Sequence, residues 1–214
     1  MCGRFVLITD LAAIARDFDV PGVSVSFSPS RNISPGQQIP AVIRRGNQNV
    51  LVPYGWGLIP CWCKDPSIGA KLVNARAETI NEKPSFKNAF VSRRCLIPAD
   101  GFFEWKKEGG KKIPYYFFLK SGRPMGFAGL YETWIAPDKK PVHTCTIITT
   151  KPNAIVEPIH DRMPVIVPEV AREIWLNPNI KDPARLCDLL KPYPAGEMNI
   201  SGPIDQGIFS QVPF

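Results

Sequence analysis

Twenty-three prolines and sixteen glycines are spread along the 214 residues, and this dispersal constrains the fold more than any other feature of the sequence. Proline removes a backbone donor and fixes φ, while glycine weakens helix and strand interiors alike. A chain punctuated this often must be built from many short elements joined by turns. Neither residue concentrates into a linker, and no internal repeat or low-complexity segment is present. One domain spanning residues 1–214 is the expected organisation, since a chain of this size buries roughly 70% of its unfolded surface.

Periodicity assigns the elements. A helix begins at Thr9, read as its N-cap, carries Leu11, Ile14, Ala15 and Phe18 on one face, and stops before Pro21-Gly22. A second runs from about Pro168 through Val170, Ile174 and Trp175. Between them the sequence reads mostly as strands. Ile39 to Arg44, Val50 to Tyr54, Cys95 to Pro98, Phe102 to Lys106, Pro114 to Leu119, Met125 to Tyr131 and Val142 to Thr150 are short, rich in β-branched or aromatic residues, and bounded by turn residues. Gly109-Gly110, between two lysine pairs, signals a hairpin. The fold class is therefore α+β and β-rich, a curled antiparallel sheet with a barrel-like core and a few peripheral helices.

Composition narrows the setting. Apolar residues make up 44% and charged residues 21%, a balance that supports a buried core. No apolar run approaches the roughly 20 residues of a membrane-spanning helix. The start, Met1-Cys2-Gly3-Arg4-Phe5-Val6-Leu7-Ile8, lacks the pattern of an export signal. A cytoplasmic location is expected, nucleoid-associated if the source is bacterial. A net charge of +7 favours polyanionic partners such as nucleic acid. Cys2, Cys61, Cys63, Cys95, Cys145 and Cys187 form no C-x-x-C pair, and in such a setting they stay reduced. Cys61-Trp62-Cys63 is too tightly spaced for a zinc site, with only His143 and His160 to complete it. No metal or other cofactor is expected.

Four segments place ionisable or polar residues within apolar surroundings: Met1 to Phe5, Asn74 to Thr79, Asp100 to Trp105 and His160 to Pro164. Cys2 is either a small apolar residue at a frayed start or, once Met1 is removed, an N-terminal 1,2-aminothiol. The amine and thiol of such a group have ordinary pKa values near 7.8 and 8.5, so both are partly nucleophilic near neutrality. Glu104 alternates with Phe103 and Trp105 and faces away from both. It is either a solvated strand residue or, if desolvated in a cleft, a general acid or base. His160 is either a hydrogen-bonded structural residue or a proton carrier. Asn74 and Arg76, two apart, project from one strand face, where an amide and a guanidinium suit a phosphodiester. Alternatively, Arg76 pairs with Glu78 at a strand end. Trp56, Trp62 and Phe86 are either core or stacking platforms for unpaired bases. Lys106-Lys107 and Lys111-Lys112 read most simply as solubilising charge on the hairpin.

Taken together, Met1 to Phe5, Asn32 to Gly36, Trp56 to Pro60, Asn74 to Thr79, Gly101 to Lys107 with Pro114 to Tyr116, and His160 to Pro164 resemble the SRAP family, the SOS response-associated peptidase domain. The resemblance covers almost the whole chain. It implies a monomeric protein of the DNA damage response that processes its own start and binds single-stranded DNA. It further implies covalent crosslinking to abasic sites through a thiazolidine, with strand cleavage by an abasic-site lyase reaction as a possible side activity. On this resemblance Cys2 is the nucleophile, Asn74 and Glu104 its catalytic neighbours, and His160 the proton-transfer residue. Arg4, Asn32, Pro35, Trp62, Arg76, Thr149 and Arg162 fall where similar proteins contact DNA or line the site. The chain departs from the family pattern at Trp62-Cys63, where similar proteins carry a tryptophan pair, and along Glu197 to Phe214. Two other functions fit the same residues: a thiol peptidase or N-terminal-nucleophile amidohydrolase, and a single-strand binding module without chemistry.

Overall fold

The computed structural model describes residues 2–204. The first half holds strands β1 (Phe5–Leu7), β2 (Ser30–Ile33), β3 (Gln38–Arg45), β4 (Gln48–Trp56), β5 (Asn74–Arg76) and β6 (Arg94–Ala99), with helices α1 (Leu11–Asp17) and α2 (Lys87–Ser92). The second holds β7 (Gly101–Glu108), β8 (Lys111–Leu119), β9 (Met125–Ile135), β10 (Pro141–Thr150), β11 (Met163–Pro164) and β12 (Met198–Ser201), with helices α3 (Arg172–Leu176) and α4 (Pro183–Cys187).

Strand β3 pairs with β4 and β6, β6 with β9, β9 with β10, and β10 with β4, so five strands close into a barrel. Strands β5 and β11 attach to β10. A second sheet has the order β12-β8-β7-β1-β2. The β-rich, barrel-like expectation holds, but the sheet is not antiparallel throughout. Strand β10 runs parallel to β4 and to β5. Parallel neighbours need a long crossover rather than a hairpin, and strand patterns alone do not reveal which distant partners meet.

The two sheets share one core. Phe5 of the second sheet packs on Trp56 and Phe127 of the barrel, with ring centroids 5.3 and 5.9 Å apart, and Phe102 meets Phe127 at 6.1 Å. Ile39 to Ile43 of β3 are buried without interruption, the pattern of a strand covered on both faces. Burying each such aromatic contributes about 2 kcal/mol or more. Gly129 sits where strands crowd together: a Cβ there would lie 2.8 Å from the Cys95 sulfur and 2.9 Å from the Thr146 carbonyl. All six cysteines are free thiols.

Buried Arg94 ties the helices to the barrel. Its guanidinium donates to the carbonyls of Phe90, Val91, Trp175, Asn177 and Ile180. These are carbonyls at and beyond the C-terminal ends of α2 and α3, where the helix dipole favours a cation.

Several local expectations need correction. Asp10, not Thr9, caps α1, accepting from the Ala13 N–H at 2.9 Å. The Thr9 hydroxyl is already engaged, donating to Asp100 at 2.6 Å. The helix after Pro168 opens with a 3-10 turn over Glu169–Ala171, and Val170 is 91% exposed instead of facing the core. Helix α2 and the 3-10 turns Pro66–Lys71 and Ala77–Thr79 fall in a stretch read mostly as strand. They are too short to show a helical period. At the divergent C-terminal end, Met198–Ser201 pairs with β8, while residues 205–214 lie outside the described residues.

Candidate active site

The site forms where the chain start crosses between the two sheets. Strand β1 pairs with β7 in antiparallel register, Phe5 opposite Phe102, and the Phe103 N–H donates to the Arg4 carbonyl at 3.0 Å. This register carries the chain back from Arg4 toward Cys2 alongside Glu104. The barrel supplies the other wall. Gly57, at φ 140° and with Gly69 so close that a Cβ would meet its carbonyl at 2.8 Å, turns the chain out of β4. Residues 57–73 then return it as β5, with Asn74 opposite Ile147 of β10.

Asn74 clamps the chain start. Its amide nitrogen donates to the Cys2 carbonyl at 3.0 Å and to the Val73 carbonyl at 2.7 Å. The Val73 carbonyl also accepts from the Trp56 indole at 2.8 Å, which fixes Asn74 against the core. The Asn74 side-chain oxygen is buried with no hydrogen-bond partner among the described residues. An unpaired buried acceptor is costly, and here it sits beside the nucleophile candidate.

Glu104 is 2% exposed, so the solvated-strand alternative does not hold. Burial pushes its carboxyl up from 4.5 to about 7, with the Asp161 carboxylate adding to the effect. Cys2 is fully buried, and its thiol is pushed up by desolvation and then by the Glu104 charge, against an opposing Arg4 backbone hydrogen bond. The sulfur is therefore a neutral thiol at rest.

His160 arrives from the turn after β10. Asn153 accepts the Ile155 and Val156 N–H groups, and the Val156 carbonyl accepts the His160 N–H at 2.9 Å. The Arg162 N–H donates to His160 Nδ1 at 3.0 Å. Nδ1 also lies 3.3 Å from the Arg162 carbonyl, to which its protonated form donates, and Nε2 faces Glu104 Oε2 at 3.6 Å. Asp161 lies 3.1 Å from Nδ1 and favours the imidazolium, but burial dominates and lowers the proton affinity. Glu104 and His160 are thus displaced in opposite directions, both toward their neutral forms.

The remaining sequence candidates separate. Asn32, Pro35 and Arg76 are exposed, and Arg4 is half-buried. Trp62 is 56% exposed, whereas Trp56 and Phe86 are buried in the core and offer no stacking surface. Thr149 is 1% exposed, and its carbonyl accepts from Arg162 at 2.6 Å. Glu78 pairs not with Arg76 but with Arg162, through two hydrogen bonds of 2.7 and 2.8 Å. Glu78 fixes the arginine beside His160, a role that its sequence position beside Arg76 concealed. Lys107 and Lys112, read from the sequence as solubilising charge on the hairpin, stand nearer the site than that reading implied. With Glu104, Trp105 and His160 they line a pocket of about 190 Å³. No helix among the described residues is long and apolar enough to cross a membrane. Nor does any cluster of three or more metal-ligating side chains occur among them.

This arrangement can exchange a proton between Glu104 and His160 next to a thiol and the chain start. The Bacillus subtilis (strain 168) protein named abasic site processing protein YoqW is 50% identical over 201 residues, covering 92% of this chain and 90% of that protein. Abasic site processing protein YedK of Escherichia coli (strain K12) is 32% identical over 191 residues, covering 84% and 81%. A crystal structure of a Bacteroides thetaiotaomicron protein superimposes with a TM-score of 0.87 at 28% identity, covering 99% of this chain and 100% of that one. The family model for SOS response associated peptidase matches residues 1–208, and the chain belongs to that SRAP family.

Proposed function

We propose that this protein captures abasic sites in single-stranded DNA as a thiazolidine on Cys2. The observation that carries the reading is the Glu104–His160 pair, a buried carboxyl facing a half-buried imidazole beside Cys2, with both groups displaced toward their neutral forms. The relatives' names, which specify abasic site processing, support it.

An abasic deoxyribose rests mainly as a closed hemiacetal, so its aldehyde must first be released. Glu104 and His160 supply the acid and base for that opening, one taking the anomeric hydroxyl proton while the other protonates the ring oxygen. The Cys2 amine, freed by self-processing that removes Met1, adds to the aldehyde carbon and expels water to form an imine. Met1 itself lies outside the described residues. The Cys2 sulfur then attacks the imine carbon, forming the carbon–sulfur bond while its proton passes to the nitrogen. The five-membered ring removes the imine that would otherwise promote strand cleavage, so any lyase activity is a side path. Asn74 holds the Cys2 carbonyl and thereby aims the amine.

A thiol peptidase would need a resting thiolate, and the burial of Cys2 opposes one. A single-strand binding module would have no use for a desolvated acid–base pair. The protein acts as a monomer on DNA in the cytoplasm or nucleoid in this reading. Mixing the processed protein with a single-stranded oligonucleotide bearing one abasic site should yield an adduct on a denaturing gel. It should be absent with intact DNA and with Cys2→Ala. Folded wild-type protein that forms no adduct overturns the reading.

A further inference from the structure

The β7–β8 hairpin places Lys107 and Lys112 directly opposite one another. Cross-strand partners lie about 5 Å apart at Cα, and like charges in that position repel. Both side chains are exposed, and both line the pocket that Glu104, Trp105 and His160 complete. The other two hairpin lysines are placed differently. Lys106 bonds to Glu108 at 3.1 Å, and Lys111 stands opposite Glu108 across the hairpin. Charge that merely solubilised the hairpin would not need two opposed lysines on the rim of an acid–base pocket.

We propose that Lys107 and Lys112 form a phosphodiester clamp that grips the DNA backbone beside the abasic sugar and sets the sugar against Glu104 and His160. The inference rests on the reading of this pocket as the abasic-sugar site. Two ammonium groups on flexible stems can engage one phosphate or two neighbouring ones without demanding a fixed geometry. The clamp is also electrically linked to the chemistry, because Lys107 is among the charges that lower the proton affinity of His160. A bound phosphate would offset that charge, so DNA binding would raise the proton affinity of His160 as the sugar arrives.

The test measures binding of single-stranded DNA carrying a non-reactive tetrahydrofuran abasic analogue, by fluorescence anisotropy across a salt series. For single strands the log–log salt slope is about −0.7 per phosphate contact. Lys107→Ala/Lys112→Ala should reduce the slope by about 1.4 if two contacts are lost. The control Lys106→Ala/Lys111→Ala removes the same net charge and should change it by less than half as much. Lys107→Arg/Lys112→Arg should retain the wild-type slope. Equal slope changes in the two alanine pairs, or an unchanged slope in Lys107→Ala/Lys112→Ala while wild-type protein still crosslinks, overturn the clamp alone. Wild-type protein that neither binds nor crosslinks overturns the site reading beneath it, and the clamp with it. All four substituted positions lie on the hairpin, away from the core, and matching thermal melts establish that each variant is folded.

Discussion

Replacing Glu104 by glutamine should stabilise this protein at alkaline pH while abolishing efficient crosslinking. Glu104 has a carboxyl pKa raised from 4.5 to about 7 by burial. The folded state therefore holds its proton more tightly than the unfolded chain does. The stability this contributes is fully present below pH 4.5 and is lost as pH rises through 7. Integrating the linkage relation with these two values, the loss between pH 5 and pH 8 is about 2.5 kcal/mol. Glutamine keeps the shape and does not titrate, so Glu104→Gln should gain about 2.5 kcal/mol on the wild type across that interval. Urea denaturation of both proteins at pH 5, 6.5 and 8, in the same N-terminal state, measures the difference. His160 is present in both, so its own titration cancels to first order. Parallel stability profiles for the two proteins would refute the claim that Glu104 is held protonated by burial. A gain at alkaline pH together with slow crosslinking would show that the fold sacrifices stability for a poised acid.

Asn74→Ala removes the donor to the Cys2 carbonyl; we expect a loss of about 1 kcal/mol in denaturant unfolding and a crosslinking rate that falls at saturating DNA. Trp62→Ala should leave stability within about 0.5 kcal/mol, because the ring is exposed, yet weaken single-strand binding by about 1–3 kcal/mol in anisotropy titrations. Unchanged affinity would remove Trp62 from the DNA surface. Arg94→Met strands five carbonyls that the guanidinium satisfies; a cost of about 3 kcal/mol or more, read as a lower thermal midpoint, is expected.

Much of this was readable in the chain. The strands from Ile39 to Thr150 were legible because short β-branched runs between turn residues have few other uses, and Gly109-Gly110 marks the hairpin between β7 and β8. Helix α2 and the 3-10 turns were not, since elements of three to six residues carry at most two periods of pattern. Thr9 and Asp10 are equally good caps in isolation; only Asp100, 91 residues away, takes the threonine hydroxyl. Alternation correctly turned Glu104 away from Phe103, which packs in a separate cluster with Val6 and Tyr116. Whether that other face was wet or buried depended on Cys2 and His160, both distant in sequence. For Trp56 and Trp62, composition offered the same two readings, and the closed barrel assigned one to the core and one to solvent. The ion pair of Glu78 with Arg162 spans 84 residues and could not be told from a local pair with Arg76.

The claim on which the rest depends is that Cys2 bonds through both its nitrogen and its sulfur to an abasic aldehyde. Intact-mass spectrometry of the protein before and after exposure to a single-stranded abasic oligonucleotide tests it most directly. The account predicts a starting mass lacking Met1, then one new species equal to that protein plus one oligonucleotide minus one water, stable to denaturant and absent for Cys2→Ala. A protein that retains Met1 yet forms the adduct, or an equally stable adduct with Cys2→Ala, would contradict it.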